Sequence, residues 1–352
     1  MTTKKRLDIE FMRILACFFV IFNHTKSNGF FLFASCNRNS LKFWIYLFIS
    51  IFCTFSVPLF YTISGSLLLN REEESLWNFW RRRIFKMVLI LVVWSFFYYF
   101  YDLHTTGNSF DFDEFFEQFY NSSWNFSFWY LYAYIPMLMG IPLLRKFVKS
   151  LGNKDFLYLF ALAFSFSSLL PSLQYFFGEG EYLINHNFQI SWICSSLFLY
   201  PCLGYFLQTR LDGFWNKKRI GLLWIINISA IVFSSYLTCL KADITGILNE
   251  GHSQTFHKTF VFINCIAIFV TCKYLFEHIS FPNWINKLIE SMGGCTLGIY
   301  LLHIFIKSEL EIHMKFHFHN MFSAFLYCGL IFILGYLITL VLKRIPIISK
   351  FV

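Results

Sequence analysis

The sequence predicts an all-α, polytopic membrane protein of about ten transmembrane helices, with both termini cytoplasmic. Three observations carry that expectation. The 352 residues are 57% hydrophobic and only 14% charged, whereas a soluble domain carries about 25% charge. Apolar windows of about twenty residues recur, each long enough for a ~30 Å hydrocarbon core. The connections between them alternate in charge, as the positive-inside asymmetry requires.

The first window, near 11–29, follows Lys4, Lys5 and Arg6, so it starts in the cytoplasm. The second, 43–69, returns to Arg71 and to Arg81, Arg82, Arg83 and Lys86. The third, 84–103, leaves toward Asp111, Asp113, Glu114 and Glu117, and the fourth, 126–144, comes back to Arg145, Lys146, Lys149 and Lys154. The fifth, 155–177, ends before Glu179 and Glu181, and the sixth, 189–208, reaches Arg210, Lys217, Lys218 and Arg219. The seventh and eighth, 220–240 and 257–277, flank an outer loop at 241–256 and return to Lys273 and Lys287. The ninth and tenth, 294–313 and 320–342, end at Lys343, Arg344 and Lys350. No connection is long enough to fold alone and no internal repeat is visible, so residues 1–352 read as one membrane domain. No A-x-A-like site follows the first apolar run, so no cleavable signal is expected.

Composition also excludes function classes. The net charge of +9 sits at helix ends rather than on one continuous soluble face, which argues against nucleic acid. The ten Cys have no C-x-x-C pair and no zinc-like spacing with His, which argues against a metal site or a disulfide framework. The 49 Phe suit an apolar exterior facing lipid.

Five segments carry polar residues that a lipid-facing helix has no reason to keep. In the first window Arg13 and His24 lie three turns and about 20° apart, roughly 16 Å along the axis. An intramembrane guanidinium costs at least ~2.5 kcal/mol. The pair either lines a site, with a cation near the cytoplasmic mouth and an imidazole deeper in, or snorkels to the two interfaces. Phe79–Lys86, FWRRRIFK, is either topogenic or a polyanion site, since guanidinium forks bind phosphates bidentately. Val57–Leu68, VPLFYTISGSLL, contains Ser64-Gly65, which permits close backbone approach. Phe128–Leu144 contains Trp129, a cavity residue or an interfacial anchor. In Thr296–His303, TLGIYLLH, Tyr300 and His303 share a helix face and either line a cavity or bond between helices.

Together these segments resemble the membrane-bound acyltransferase 3 family, which O-acylates bacterial surface glycans, and most closely its short members without an SGNH domain. The family's R-x10-H signature falls on Arg13 and His24, and its F-x-x-R-R-x-x-R/K element on Phe79, Arg82, Arg83 and Lys86. Its VPLFF-x-x-SG, l-W-y/f-L and tLGIY-x-x-H elements correspond to VPLFYTISG, FWYL and Thr296–His303. The resemblance implies a multi-pass protein of the bacterial cytoplasmic membrane, surrounded by membrane lipids. It implies transfer of an acyl group, foremost acetyl, from cytoplasmic acyl-CoA to a hydroxyl of a cell-surface or lipid-linked saccharide. Acetyl-CoA is then a donor substrate, with no permanently bound cofactor. His24 becomes the general base, and Arg13 holds the donor or stabilises negative charge. Arg81, Arg82, Arg83 and Lys86 take the CoA phosphates. Glu10, Ser64, Trp129, Tyr300 and His303 line the site, Glu10 pairing with Arg13. Homo-oligomerisation is compatible with the sequence. The rival reading is a polysaccharide exporter or lipid-linked sugar flippase, which commonly shows two repeats.

Overall fold

α1 (Leu7–Asn23) opens the chain. It is followed by α2 (Leu41–Phe52), α3 (Ser56–Leu68), α4 (Leu76–Phe79), α5 (Phe85–Thr106), α6 (Phe112–Asn121), α7 (Trp129–Ser150) and α8 (Asn153–Phe164). Then come α9 (Leu170–Phe177), α10 (Ser191–Cys194), α11 (Ser196–Thr209), α12 (Lys217–Thr245), α13 (Val261–His278), α14 (Asn283–His313) and α15 (Met321–Leu342). This computed structural model describes residues 6–177, 191–246, 248, 260–314, 316, 318 and 320–352. Lys4, Lys5, Glu179, Glu181, most of loop 241–256 and the first residues of the sixth and eighth windows lie outside the described residues. The protein is an all-α, polytopic membrane protein, and no strand occurs among the described residues.

Eight stretches among the described residues are long and apolar enough to span: 41–68, 76–106, 126–150, 153–173, 217–244, 261–278, 283–313 and 321–342. The first and sixth expected spans are shorter than the ~20 residues a lipid-facing helix needs. α1 has 17 residues and α11 has 14. Both are central: α1 packs on α3, α13, α14 and α15, and α11 presses on α3 along its length. Lipid meets the outer helices instead. On α5, Leu89, Val93, Phe97 and Phe100 are exposed at helical spacing, and Phe322, Leu326, Ile333 and Leu337 do the same on α15.

Several edges differ from the expected ones, for local reasons. α1 ends at Asn23 rather than near 29, because Lys26 adopts φ +50° and the following residues form a tight turn. The second window is two helices, broken by a 3-10 turn at Cys53–Phe55 where the Thr54 hydroxyl bonds back to the Ile51 carbonyl at 2.7 Å. The third begins at Leu76, capped by Ser75, and runs through a π-turn at Trp80–Ile84 into α5. The fifth also contains a π-turn, Ser165–Leu169. The loop after α5 holds α6, started by Asp111, whose carboxylate accepts from the Asp113 and Glu114 amides. Its aromatic residues and its exposed Glu114 and Glu117 suit an interfacial helix.

The basic connections gather at one end of the bundle. Arg145 is buried there, its guanidinium bonding the Leu68 carbonyl at 3.0 and 3.2 Å and the Glu72 carbonyl at 3.0 Å, beyond the C-terminus of α3. Arg83 faces Glu74 at 3.7 Å, and Arg210 donates to the Leu151 carbonyl at 3.1 Å. α1 and α14 run parallel: Glu10 lies against Gly293, Cys17 against Thr296, and His24 against His303.

At the basic end Lys273 of α13, 7% exposed, reaches Asp212 at 3.0 Å and Glu277 at 3.7 Å. The hydrogen bond from Lys273, and then its charge, hold the Asp212 carboxyl below the usual carboxylate range. A carboxyl held down in the folded state adds stability that is full above its unfolded value, ~3.9. That stability is lost as pH falls through the lower, folded value. Asp212→Asn is therefore expected to lower the thermal midpoint at neutral pH and to remove part of the parent's loss below ~pH 4. Thermal unfolding in detergent across that range checks it. Equal midpoints for parent and variant at neutral pH would show that the pair adds nothing.

Candidate active site

His24 occupies the C-cap of α1, one residue past the last helical position, so it stands at the end of the helix opposite Arg6. Two packing contacts orient its ring. It stacks on His303 with centroids 5.0 Å apart and meets Phe126 edge-on at 5.1 Å. Its Nδ1 lies 2.7 Å from Nε2 of His303. His303, 1% exposed, directs its own Nδ1 to the Tyr300 carbonyl.

These contacts fix the tautomers. A carbonyl only accepts, so His303 carries its proton on Nδ1 and offers a lone pair at Nε2. That lone pair accepts from Nδ1–H of His24. The remaining nitrogen of His24, Nε2, is left with a lone pair and no proton. This arrangement, a neutral imidazole oriented through its other ring nitrogen, is the one a general base needs.

His24 lines a cavity of about 1070 Å³. Asn23, Lys26, Tyr61, Phe126, Trp129 and Tyr200 are among its walls. The turn that carries Lys26 is held tightly. The Thr25 hydroxyl donates to the Phe22 carbonyl at 2.6 Å and accepts from the Phe30 amide at 3.0 Å. A Cβ on Gly29 would fall 2.3 Å from that hydroxyl. Lys26 is the one non-glycine residue with positive φ among those described, a conformation costing of order 1 kcal/mol that tends to be kept at functional sites.

From His303 a seam of rings and hydroxyls runs toward the basic end. The rings of Tyr300 and His303 are 5.6 Å apart, and Tyr130 is 5.7 Å from Tyr300. Tyr130 stacks on Tyr134 at 5.5 Å and meets Tyr61 in a tilted contact at 5.2 Å, and it feels the charge of Arg13. The Tyr134 hydroxyl is 3.2 Å from the Ser64 hydroxyl and interacts with Arg83. Arg13 pairs with Glu10 at 2.9 Å, as the i,i+3 spacing expects. Glu10 Oε2, the Tyr61 hydroxyl and Arg83 Nε are buried along this seam without a protein hydrogen-bond partner.

The structure thus joins most of the sequence-derived candidates. His24, His303, Tyr300, Ser64, Arg13 with Glu10, and Arg83 follow one another along the seam, and Trp129, half exposed, walls the cavity. Arg81, Arg82 and Lys86 do not join it; the π-turn leaves all three exposed at the basic end, while Arg83 turns inward over the Phe79 ring at 5.5 Å. The sequence reading passed over Tyr130 and Tyr134, whose i,i+4 spacing within FWYLYAY marks one helix face. It also passed over Lys26, whose conformation no local pattern announces.

The acyltransferase 3 family, described as an acyltransferase domain, matches residues 6–343. No curated protein and no solved structure matches the chain.

Proposed function

Given that the chain belongs to the acyltransferase 3 family and is therefore a membrane acyltransferase, we propose that it moves an acetyl group from cytoplasmic acyl-CoA to a hydroxyl of a surface or lipid-linked glycan in a bacterial cytoplasmic membrane. The observation that carries this reading is the His24 Nε2 lone pair, set by His303 and opening on a cavity of saccharide size.

In this reading Nε2 takes the proton of the sugar hydroxyl as its oxygen attacks the thioester carbonyl. The tetrahedral intermediate then expels the CoA thiolate, which recovers the proton from the His24 imidazolium. The product is an ester and free CoA thiol. Through both steps His303 keeps hold of Nδ1–H, so the ring does not turn. Arg13, about 16 Å from His24 along the helix, lies within a pantetheine arm's reach and holds the donor or stabilises its charge. Arg83 sits where the seam meets the basic end, and with Arg81, Arg82 and Lys86 outside it receives the CoA phosphates. The charge of the loops supports their cytoplasmic placement.

The test is CoA-thiol release by purified protein in liposomes, given acetyl-CoA and de-O-acetylated glycan from a strain lacking the protein. Arg83→Gln is expected to raise the KM for acetyl-CoA by about tenfold, the worth of a charge-assisted contact. It should also narrow the preference for CoA over dephospho-CoA. Glycan transport with no CoA release would favour the exporter reading instead.

A further inference from the structure

Lys26 is the one side chain of fixed charge among the described residues lining the His24 cavity, and no carboxylate is among them. Its ammonium lies 5.6 Å from the centroid of Phe126, the same ring that His24 meets edge-on at 5.1 Å. Base and ammonium therefore stand one aromatic ring apart at the same rim. The backbone holding Lys26 is fixed: its carbonyl accepts from the Gly29 amide at 3.1 Å and the Phe31 amide at 2.9 Å. A surface lysine that served only solubility would need neither a left-handed backbone nor a locked turn.

We propose that the acceptor is an acidic glycan, and that Lys26 reads a carboxylate or phosphate on the sugar being acylated or on its immediate neighbour. This rests on the acyl-transfer reading above. The cavity's aromatic walls stack on sugar rings without discriminating charge, so discrimination falls to the ammonium. With no carboxylate among the described lining residues, the rim attracts an anionic acceptor, and Phe126 holds the hydroxyl neighbouring that charge over the imidazole.

The probe is surface glycan isolated from a strain lacking the protein and de-O-acetylated. It is supplied in three forms: intact, with carboxyl groups reduced to alcohols, and with phosphate removed by hydrofluoric acid. For the parent protein, kcat/KM for CoA-thiol release should fall about tenfold on one of the two neutralised forms. The form that fails tells carboxylate from phosphate. Lys26→Gln should lose most of its activity on intact glycan and treat intact and neutralised forms alike, while Lys26→Arg should keep the parent's preference. Equal use of all three forms by the parent overturns the proposal and leaves acyl transfer standing. A Lys26→Gln variant slowed equally on every form also overturns it, since that pattern marks a role in the chemical step or in folding. If no form supports His24-dependent CoA release, the acyl-transfer reading itself fails, and this proposal with it.

Discussion

His24→Ala is expected to lower CoA-thiol release by about 10²–10⁴-fold, the usual worth of a positioned general base, while the protein still inserts and folds. The alanine removes the imidazole lone pair at the cavity and leaves His303 Nε2 without its donor. Because His24 is half-buried at the end of its helix, truncation opens no sealed void. The measurement is thiol release set against the amount of monodisperse protein recovered from the membrane. Full activity in the variant would remove the imidazole from the chemistry. His303 separates positioning from packing. A glutamine there can accept from His24 Nδ1–H, so His303→Gln should keep part of the rate. His303→Leu, of similar bulk but without an acceptor, should approach His24→Ala. If both behave alike, the histidine pair does not act through a hydrogen bond.

The largest effect on stability is expected at the crossing of α3 and α11. A Cβ on Gly204 would lie 1.8 Å from the Thr62 carbonyl oxygen, and one on Gly65 would lie 2.1 Å from that of Pro201. Both obstacles are backbone, so neither can be relieved by a rotamer change, and even alanine forces the helices apart. Gly204→Ala should cost at least the ~1–3 kcal/mol of an overpacked core, and Gly204→Leu should abolish recovery of folded protein. Gly221 and Gly329 are the controls. Nothing lies within 4 Å of a Cβ at either, so alanine there should be neutral or stabilise its helix by up to ~1 kcal/mol. Comparable losses at all four glycines would mean that the close crossing does not hold the fold.

Much of this arrangement was legible in the chain. Apolar length locates the eight stretches that are long and apolar enough to span among the described residues, because the bilayer imposes that length on a lipid-facing segment. The polar residues of the site stand out because a lipid-facing helix would not keep Arg13, Glu10 or His303. What could not be read falls into two kinds. Local breaks, such as the 3-10 turn at Cys53–Phe55 and the π-turn that turns Arg83 inward and Arg82 outward, depend on neighbouring helices rather than on propensity. Long-range pairings leave no periodic trace. Arg145 looks like any loop cation, yet it is buried on the carbonyls of Leu68 and Glu72. Likewise nothing in the residues flanking His24 names His303 as its partner, 279 positions away.

That separation sets when the protein becomes competent during its own synthesis. α1 leaves the ribosome first, but the histidine that orients its imidazole follows 279 residues later, about 15–55 s at ordinary elongation rates. Until then the His24 ring of the nascent chain has no partner for its Nδ1. A ribosome stalled anywhere before α14 therefore yields a chain in which that ring is not oriented as it is in the folded protein.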